Sequence, residues 1–466
     1  MVKKTALPAN RRRLLLCIYG AALLYYVLKQ VYYALCIAGF PDQMVHLSYI
    51  IEMTRTPTLT QAFSTMPIYH VTEVSGGLTY LAPTSGVINY LMHPPLYYLL
   101  MALLGGVQLF PDGTAALSLL RLEVINILLS SGAVGLAFYL GYTRLRDRSP
   151  WVHAFYALAV ATLPMLAYVG ASVNNDNLAF LALVIFVAGL LRYEESRALR
   201  ARDQQNIPDL KTYLLIGLGF LVGGLSKLTT GLMMALMLLA VLVMSIVKTR
   251  SLKLVANRNF LITLPCYLLF LLYELWVRRT FGSWQPNLYT VAPDYYFTTI
   301  FYTPPENRVP MNFLSYVRHF AGGMGYTWSS LYGHNEQVND LMNNRVFGVV
   351  YWVPVALAVF AALRQLVLRK TDRFTLPVII GFFGTMAYHF YSNWSGYPFS
   401  GYLGGVQARY YLAMIVPLAL IVCRDIPPLL RSEKLRLAGR IAACVLMVCW
   451  LAGDCLRLVI RLGFKL

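Results

Sequence analysis

Between Thr212 and Val247 the chain reads TYLLIGLGFLVGGLSKLTTGLMMALMLLAVLVMSIV, and Lys227 is the one charged side chain in this run of about 35 residues. A helix needs about 20 apolar residues to cross roughly 30 Å of hydrocarbon. The run therefore reads as two spans, about 212–226 and 228–247, folded back on each other at Ser226-Lys227. Working outward, similar runs lie at about 14–38, 121–143, 151–173, 178–193, 260–276, 346–363, 374–391, 410–423 and 441–459, which makes eleven in all. The predicted class is an all-α polytopic membrane protein of about 11 transmembrane helices.

Composition agrees. Of 466 residues 58% are apolar and 13% charged, with mean hydropathy +0.57, which excludes a soluble enzyme of this size. The net charge of +19 has a positional meaning. The first 13 residues and the loops near 144–148, 192–211, 248–258, 364–373 and 424–440 hold 26 of the 39 Lys and Arg but only eight acids. By the positive-inside rule these segments, the N-terminus included, face the cytoplasm. The basic excess is thus assigned to topology and not to nucleic acid. The run from His93 to Phe110 would reverse this pattern if it crossed, so it is expected to be juxtamembrane or re-entrant. The large loops 39–120 and 277–345 then lie outside, with short ones at Asn174–Asn177, Ser226-Lys227 and Ser392–Gln407. The C-terminus also falls outside, where Arg457, Arg461 and Lys465 run against the rule.

The basic N-terminus precedes an apolar run longer than a signal-peptide core, read as a retained first span. The seven cysteines form no C-x-x-C and no polar cluster, so neither a disulfide framework nor a zinc site is expected. No Walker or Rossmann fingerprint is present. Chemistry is therefore expected in the membrane or on its outer face.

Several polar groups fall on that face. Asp42 and His46, in Pro41-Asp42-Gln43-Met44-Val45-His46, share a face if the segment is helical. Asp42 reads either as a general base beside an apolar surface or as the cap of a short helix. His93, in His93-Pro94-Pro95-Leu96-Tyr97-Tyr98, sits at the membrane surface, in a turn that equally suits interface tyrosines. Asn174-Asn175-Asp176-Asn177 offers oxygen ligands for a cation or for sugar hydroxyls, although turn chemistry alone selects the same residues. Lys227 could hold a lipid phosphate as a point charge or simply snorkel from a hairpin tip. Lys29, among tyrosines of the first span, is expected to snorkel. Arg409, in Gln407-Ala408-Arg409-Tyr410-Tyr411, could clamp a phosphate at a helix start, and Arg278-Arg279 is a weaker candidate. Trp284, Tyr295, Tyr296, Trp328 and Tyr332 give the second large loop the look of a lid.

Taken in order, these motifs resemble the GT-C superfamily of polytopic glycosyltransferases, which includes the protein O-mannosyltransferases and the aminoarabinose transferase of lipid A. A P-D-E-x-x-H motif of some members is similar to Pro41 to His46, with Gln43 in place of Glu. The H-P-P-L-Y-Y run is matched by His93 to Tyr98, the acidic position of the second external loop by Asp176, a G-L-x-x-L-T-K-like run loosely by Gly224 to Lys227, and Q-G-R-Y by Gln407 to Tyr410 with Ala408 for Gly. The resemblance implies a catalytic module over 1–250 that includes loop 39–120, and a variable module over 251–466 with loop 277–345. It implies inverting transfer of a sugar from a polyprenyl-phosphate donor to a hydroxyl of a lipid, glycan or protein acceptor, outside a plasma (inner) membrane. Asp42 would be the base, Lys227 and Arg409 the donor-phosphate ligands, and His46, His93, Asn174, Asp176 and Tyr410 acceptor or sugar contacts. A divalent cation on Asp42 and Asp176 is compatible with it but not required. The alternatives are a transporter or flippase for a lipid-linked glycan, and a polymerase or ligase using a diphosphate-linked donor.

Overall fold

The computed structural model describes residues 8–36, 40, 42–58, 66–87, 93–198, 207–250, 257–328 and 345–463. Pro41, Tyr332 and Lys465 lie outside them. The eleven apolar runs are helical, and among the described residues eight helices are long and apolar enough to cross a membrane. They include α1 (Ala9–Cys36), α4 (Leu119–Arg144), α7 (Asp176–Ala198) and α9 (Leu228–Thr249). A ninth span is broken. Its halves α5 (Pro150–Ala161) and α6 (Pro164–Ala171) bend by 51° where Pro164 removes an amide donor and crowds the preceding turn. Helix α8 (Leu210–Gly224) has only 15 residues, about 22 Å of rise, and reaches α9 through the Ser226-Lys227 turn.

Small residues let these helices pack at close range without a hydrophobic driving force. A Cβ on Gly219 of α8 would stand 2.7 Å from the backbone nitrogen of Phe186 on α7. Helix α7 is covered by α8 on one side and α4 on another, which carries the turn before α7 into the middle of the bundle's polar end.

The stretch from His93 onward forms α3 (Leu96–Gly105), ten residues and about 15 Å, too short to cross. It packs on α2 (Gln43–Arg55), the first element after α1. The first loop, expected to contain juxtamembrane helices, holds α2 and α3. This loop also carries a four-stranded antiparallel sheet in the order β1-β2-β4-β3, from β1 (Pro67–Ser75), β2 (Leu78–Val87), β3 (Gln108–Leu109) and β4 (Ala115–Leu117). Strands β1 and β2 turn at Gly76-Gly77, both at positive φ (58° and 76°), where only glycine is unstrained and the turn's twist matches the strands.

The second large loop holds the short helices α10 (Leu288–Val291) and α11 (Pro293–Tyr296) and the longer α12 (Phe313–Thr327). Two long helices follow, α13 (Arg345–Val367) and α14 (Thr375–Ser400). A 3-10 turn, Ala408–Met414, opens into α15 (Ile415–Asp425), and the chain ends in α16 (Glu433–Gly463).

Lys29 does not snorkel. Its ammonium is 2.5 Å from Asp454 on α16, both side chains fully buried, and donates also to the Ala161 carbonyl at 2.9 Å, where the α5–α6 break frees that acceptor. Tyr25 donates to the same carboxylate at 2.7 Å. A lysine in this position pays less by pairing inside the bundle than by stretching to either interface.

Candidate active site

Four connections meet at the end of the bundle where α1, α6 and α8 finish. The first brings Asp42. It stands at the N-cap of α2 with a left-handed backbone (φ 63°), a conformation Asp tolerates better than most residues. Its carbonyl accepts from Val45 and His46, but its side chain makes no capping hydrogen bond. The carboxylate instead pairs with Arg409. Asp42 thus holds the cap position through its backbone alone, and its carboxylate faces Arg409 instead of the first amides of α2. Gln43 accepts from Phe40 N–H at 3.1 Å and donates to Glu123 of α4 at 3.2 Å. A glutamate at 43 would set a second carboxylate against Glu123.

The second connection brings Asp176. Asn174 accepts the Asp176 N–H at 3.0 Å, an Asx turn that starts α7 and leaves the Asp176 carboxylate at the positive end of that helix. Asn177 donates to Asn126 of α4 and to the carbonyls of Val169 and Ser172 at 2.9–3.1 Å, locking the turn onto the end of α6. Tyr97 of α3 donates to the same Asn126 oxygen at 2.9 Å.

The third connection is the α8–α9 hairpin. Lys227 lies at the N-cap of α9, where a cation opposes the helix dipole, and it pairs with Asp176. Burial pushes its pKa below the ordinary lysine value, and the Asp176 carboxylate resists that shift. The hairpin is stitched to its neighbours: Leu96 N–H donates to the Leu225 carbonyl at 3.0 Å and Asn175 to that of Ser226 at 2.9 Å.

The fourth delivers Arg409 and Tyr410. Ala408 N–H donates to Thr327 of α12 at 2.6 Å, and His389 of α14 bridges Tyr411 at 2.9 Å and the Gly405 carbonyl at 3.0 Å. The Tyr410 ring then lies between the two cations, 4.8 Å from the Lys227 ammonium and 5.6 Å from the Arg409 guanidinium carbon. Beside this cluster a gap of about 20 Å³ lies between α6, α7 and the 3-10 turn, apolar at Leu166, Val169, Phe180, Leu412 and Ala413 and polar at Asp176, Asn177, Thr230, Arg409 and Tyr410.

His46 and His93 form the floor. Their rings meet edge to face at 6.2 Å. His46 Nδ1 lies 3.0 Å from the Tyr98 hydroxyl, and His93 Nδ1 accepts from Asn175 at 2.8 Å. Burial pushes His46 down to about 3 and His93 well below its ordinary value, so both imidazoles are neutral near pH 7.

Of the residues named from the sequence, Asp42, Arg409, Asp176, Lys227 and Tyr410 come together. His46 and His93 lie beneath them. Asn174 is buried and spends its side-chain oxygen on the turn, so it does not face the cluster. Asp42 and Asp176 do not fit a divalent cation as placed, since each carboxylate is held by a basic side chain and no group of three His, Cys, Asp or Glu converges among the described residues. The lid expectation is corrected at Trp328, which is fully buried, donates to the Tyr351 carbonyl at 2.9 Å and packs on Trp352. Tyr296 likewise packs among Tyr289, Phe297 and Phe399. Asn126 and Asn175 were not read from the sequence as organisers of the site. The signal was an amide in the apolar run Ile125-Asn126-Ile127.

Fold and site together define a multi-pass membrane protein with a polar, ion-paired cluster at one end of the bundle. The chain belongs to the family described as predicted membrane protein DUF2142, whose model matches residues 78–421. No curated protein sequence matches it. Among solved structures it is similar to ArnT from Cupriavidus metallidurans bound to undecaprenyl phosphate, at 13% identity and a TM-score of 0.47, covering 92% of this chain and 64% of that one. It is also similar to the Archaeoglobus fulgidus oligosaccharyltransferase tethered with an acceptor peptide, at 13% identity and a TM-score of 0.47, covering 95% of this chain and 55% of that one. The chain thus spans less than two thirds of either protein. Likeness at that level assigns neither substrate nor residue roles.

Proposed function

We propose that this protein is a GT-C-type glycosyltransferase that moves a sugar from a polyprenyl-phosphate donor to a hydroxyl of a lipid, glycan or protein acceptor, at the outer face of a plasma membrane with its N-terminus in the cytoplasm. The observation that carries the reading is the convergence of two carboxylates and two cations from four separate connections. The two cations suit a phosphate, and the apolar side chains beside them suit the start of a hydrocarbon chain that continues into the membrane. The motif resemblance supports the same reading and implies a catalytic module over 1–250, to which Arg409 and Tyr410 are added from the second module.

In this reading the donor phosphate takes Lys227 and Arg409 away from their carboxylates, and the loss of Arg409 frees Asp42 as a base. Asp42 takes the proton of the acceptor hydroxyl, and that oxygen attacks the anomeric carbon. The bond from carbon to phosphate oxygen breaks with inversion. The electron pair leaves with the polyprenyl phosphate, whose charge Lys227 and Arg409 stabilise. Asp176 and Tyr410 hold acceptor or sugar, over the His46–His93 floor.

The test is turnover of labelled polyprenyl-phosphate sugars by purified protein in detergent, with pooled membrane lipids as acceptor. Transfer by the wild type that vanishes in a folded Asp42→Asn variant is expected. No consumption of any such donor by folded protein would turn the reading towards a diphosphate-linked donor or towards transport.

A further inference from the structure

The opposite end of the bundle holds a second charged feature. A cavity of about 350 Å³ opens between the α4–α5 connection and the segment leading into α16, and its wall carries Arg148, Arg431, Arg436 and Arg440 with Trp151 and the single carboxylate Asp147. Two of these arginines are braced. Arg148 donates to the Arg424 carbonyl at 2.6 Å, and Arg436 to the carbonyls of Leu430 and Arg431 at 3.0 and 3.2 Å. Arg431 and Arg440 are exposed and form no ion pair among the described residues. The N-terminus of α5 faces the same cavity. Ser149, its N-cap, makes no side-chain capping hydrogen bond, Pro150 has no N–H and Val152 N–H donates to the Ser149 carbonyl at 3.0 Å, so the helix dipole adds only a small positive potential to the four guanidinium groups.

Four guanidinium groups around one cavity against the single carboxylate Asp147 leave a net positive charge that favours a bound anion. The surroundings select the kind of anion. Leu435, Leu437 and Ile441 are exposed on α16 beside Arg436 and Arg440, so the cavity borders an apolar surface at the basic end of a membrane bundle. We propose that this cavity binds the phosphate of an anionic phospholipid head group, with the acyl chains lying along the exposed face of α16. Arg431 and Arg440 are the two ligands free to close on it. Guanidinium groups suit the task because their forked donors hold two phosphate oxygens at once. The inference does not rest on the transferase reading, since it concerns the other end of the molecule.

The experiment compares the full-length wild type with Arg431→Gln/Arg440→Gln in phosphatidylcholine nanodiscs with and without phosphatidylglycerol, reading lipid retention by native mass spectrometry. The wild type is expected to retain phosphatidylglycerol over phosphatidylcholine, and the variant to bind it about tenfold or more weakly, since each basic contact with an anionic surface contributes about a factor of five. Arg431→Lys/Arg440→Lys should recover part of the retention, because charge survives and the fork is lost. The thermal midpoint in pure phosphatidylcholine should match for all three proteins, which separates binding from folding. Equal retention by wild type and the Gln variant overturns the proposal. So does displacement of the lipid by millimolar inorganic phosphate, which would make the cavity a site for a free anion.

Discussion

The bundle holds ion pairs of the same chemistry in two settings. In the Lys29–Asp454 pair both side chains are fully buried, Tyr25 donates to the same carboxylate oxygen, and the Ala161 carbonyl accepts from Lys29. At the polar end the Asp42 side chain is 36% exposed and that of Asp176 16%, although their partners Arg409 and Lys227 are nearly covered. The first pair joins helices from opposite ends of the chain, α1 and α16, and is closed on all sides. The second arrangement has its cations anchored and its carboxylates open. Burying both partners makes a pair costly to break, whereas opening one side lets a ligand exchange for a partner. Residue types are alike in the two regions, so solvent access makes the difference.

Asp42→Asn should test the open region with the largest effect. Loss of a general base is expected to lower turnover about 10²–10⁴-fold with little change in thermal midpoint, because the Asp42 side chain caps no helix and is partly solvated. An unfolded variant would put Asp42 in the same class as Asp454. The sealed pair should behave in the opposite way. Lys29→Met leaves Asp454 buried with its cation removed, and is expected to cost about 3–5 kcal/mol of stability. The double variant Lys29→Met/Asp454→Leu should recover most of that. Thermal unfolding in detergent reads both, and a Lys29→Met protein as stable as the wild type would show that the pair does not hold α16 in place.

Lys227→Gln and Arg409→Gln should each lower the rate about 10²–10³-fold, the usual loss on removing one stabiliser of a departing anion. If donor binding alone weakens while the maximal rate stays, the cations position the phosphate and do not act on its departure.

The smallest effect concerns the floor. His46 is held down to about 3 against an ordinary 6.5 by burial, so between those values the unfolded chain binds a proton that the folded one refuses. Stability from this group is whole above about pH 6.5 and is lost as pH falls towards about 3. The thermal midpoint should therefore decline from pH 7 to pH 5, and less steeply in His46→Gln. Neither histidine should put a limb on the activity profile between pH 6 and 8, because neither takes up a proton there.

Much of the frame was legible in the chain, for reasons tied to particular residues. Apolar runs of span length and the clustering of Lys and Arg on alternate connections depend only on the cost of moving each residue into hydrocarbon. His93 to Phe110 could be kept out of the bilayer by charge counting alone, and α3 is indeed too short to cross. The sheet was hidden because β1 is largely exposed and β2 only partly buried, neither with a clean apolar alternation, and β3 and β4 are only two and three residues long. Its one clear sign, Gly76-Gly77, was outweighed by the surrounding hydropathy.

What the sequence determined by itself was the solvent in which the protein lives, the order of its spans, and a short set of polar residues too costly to place in lipid without cause. Burial energies of this kind are summed residue by residue, so they survive without knowledge of neighbours. Which of those residues meet was decided only in three dimensions. Asp42 lies 367 positions from Arg409, and Lys29 425 from Asp454, distances over which no local pattern selects a partner. The packing of α7 between α4 and α8 holds Asp176 at an open end, whereas α5, packed on both α1 and α16, helps seal Lys29 and Asp454 in the bundle, and that placement puts the same chemistry in two different settings.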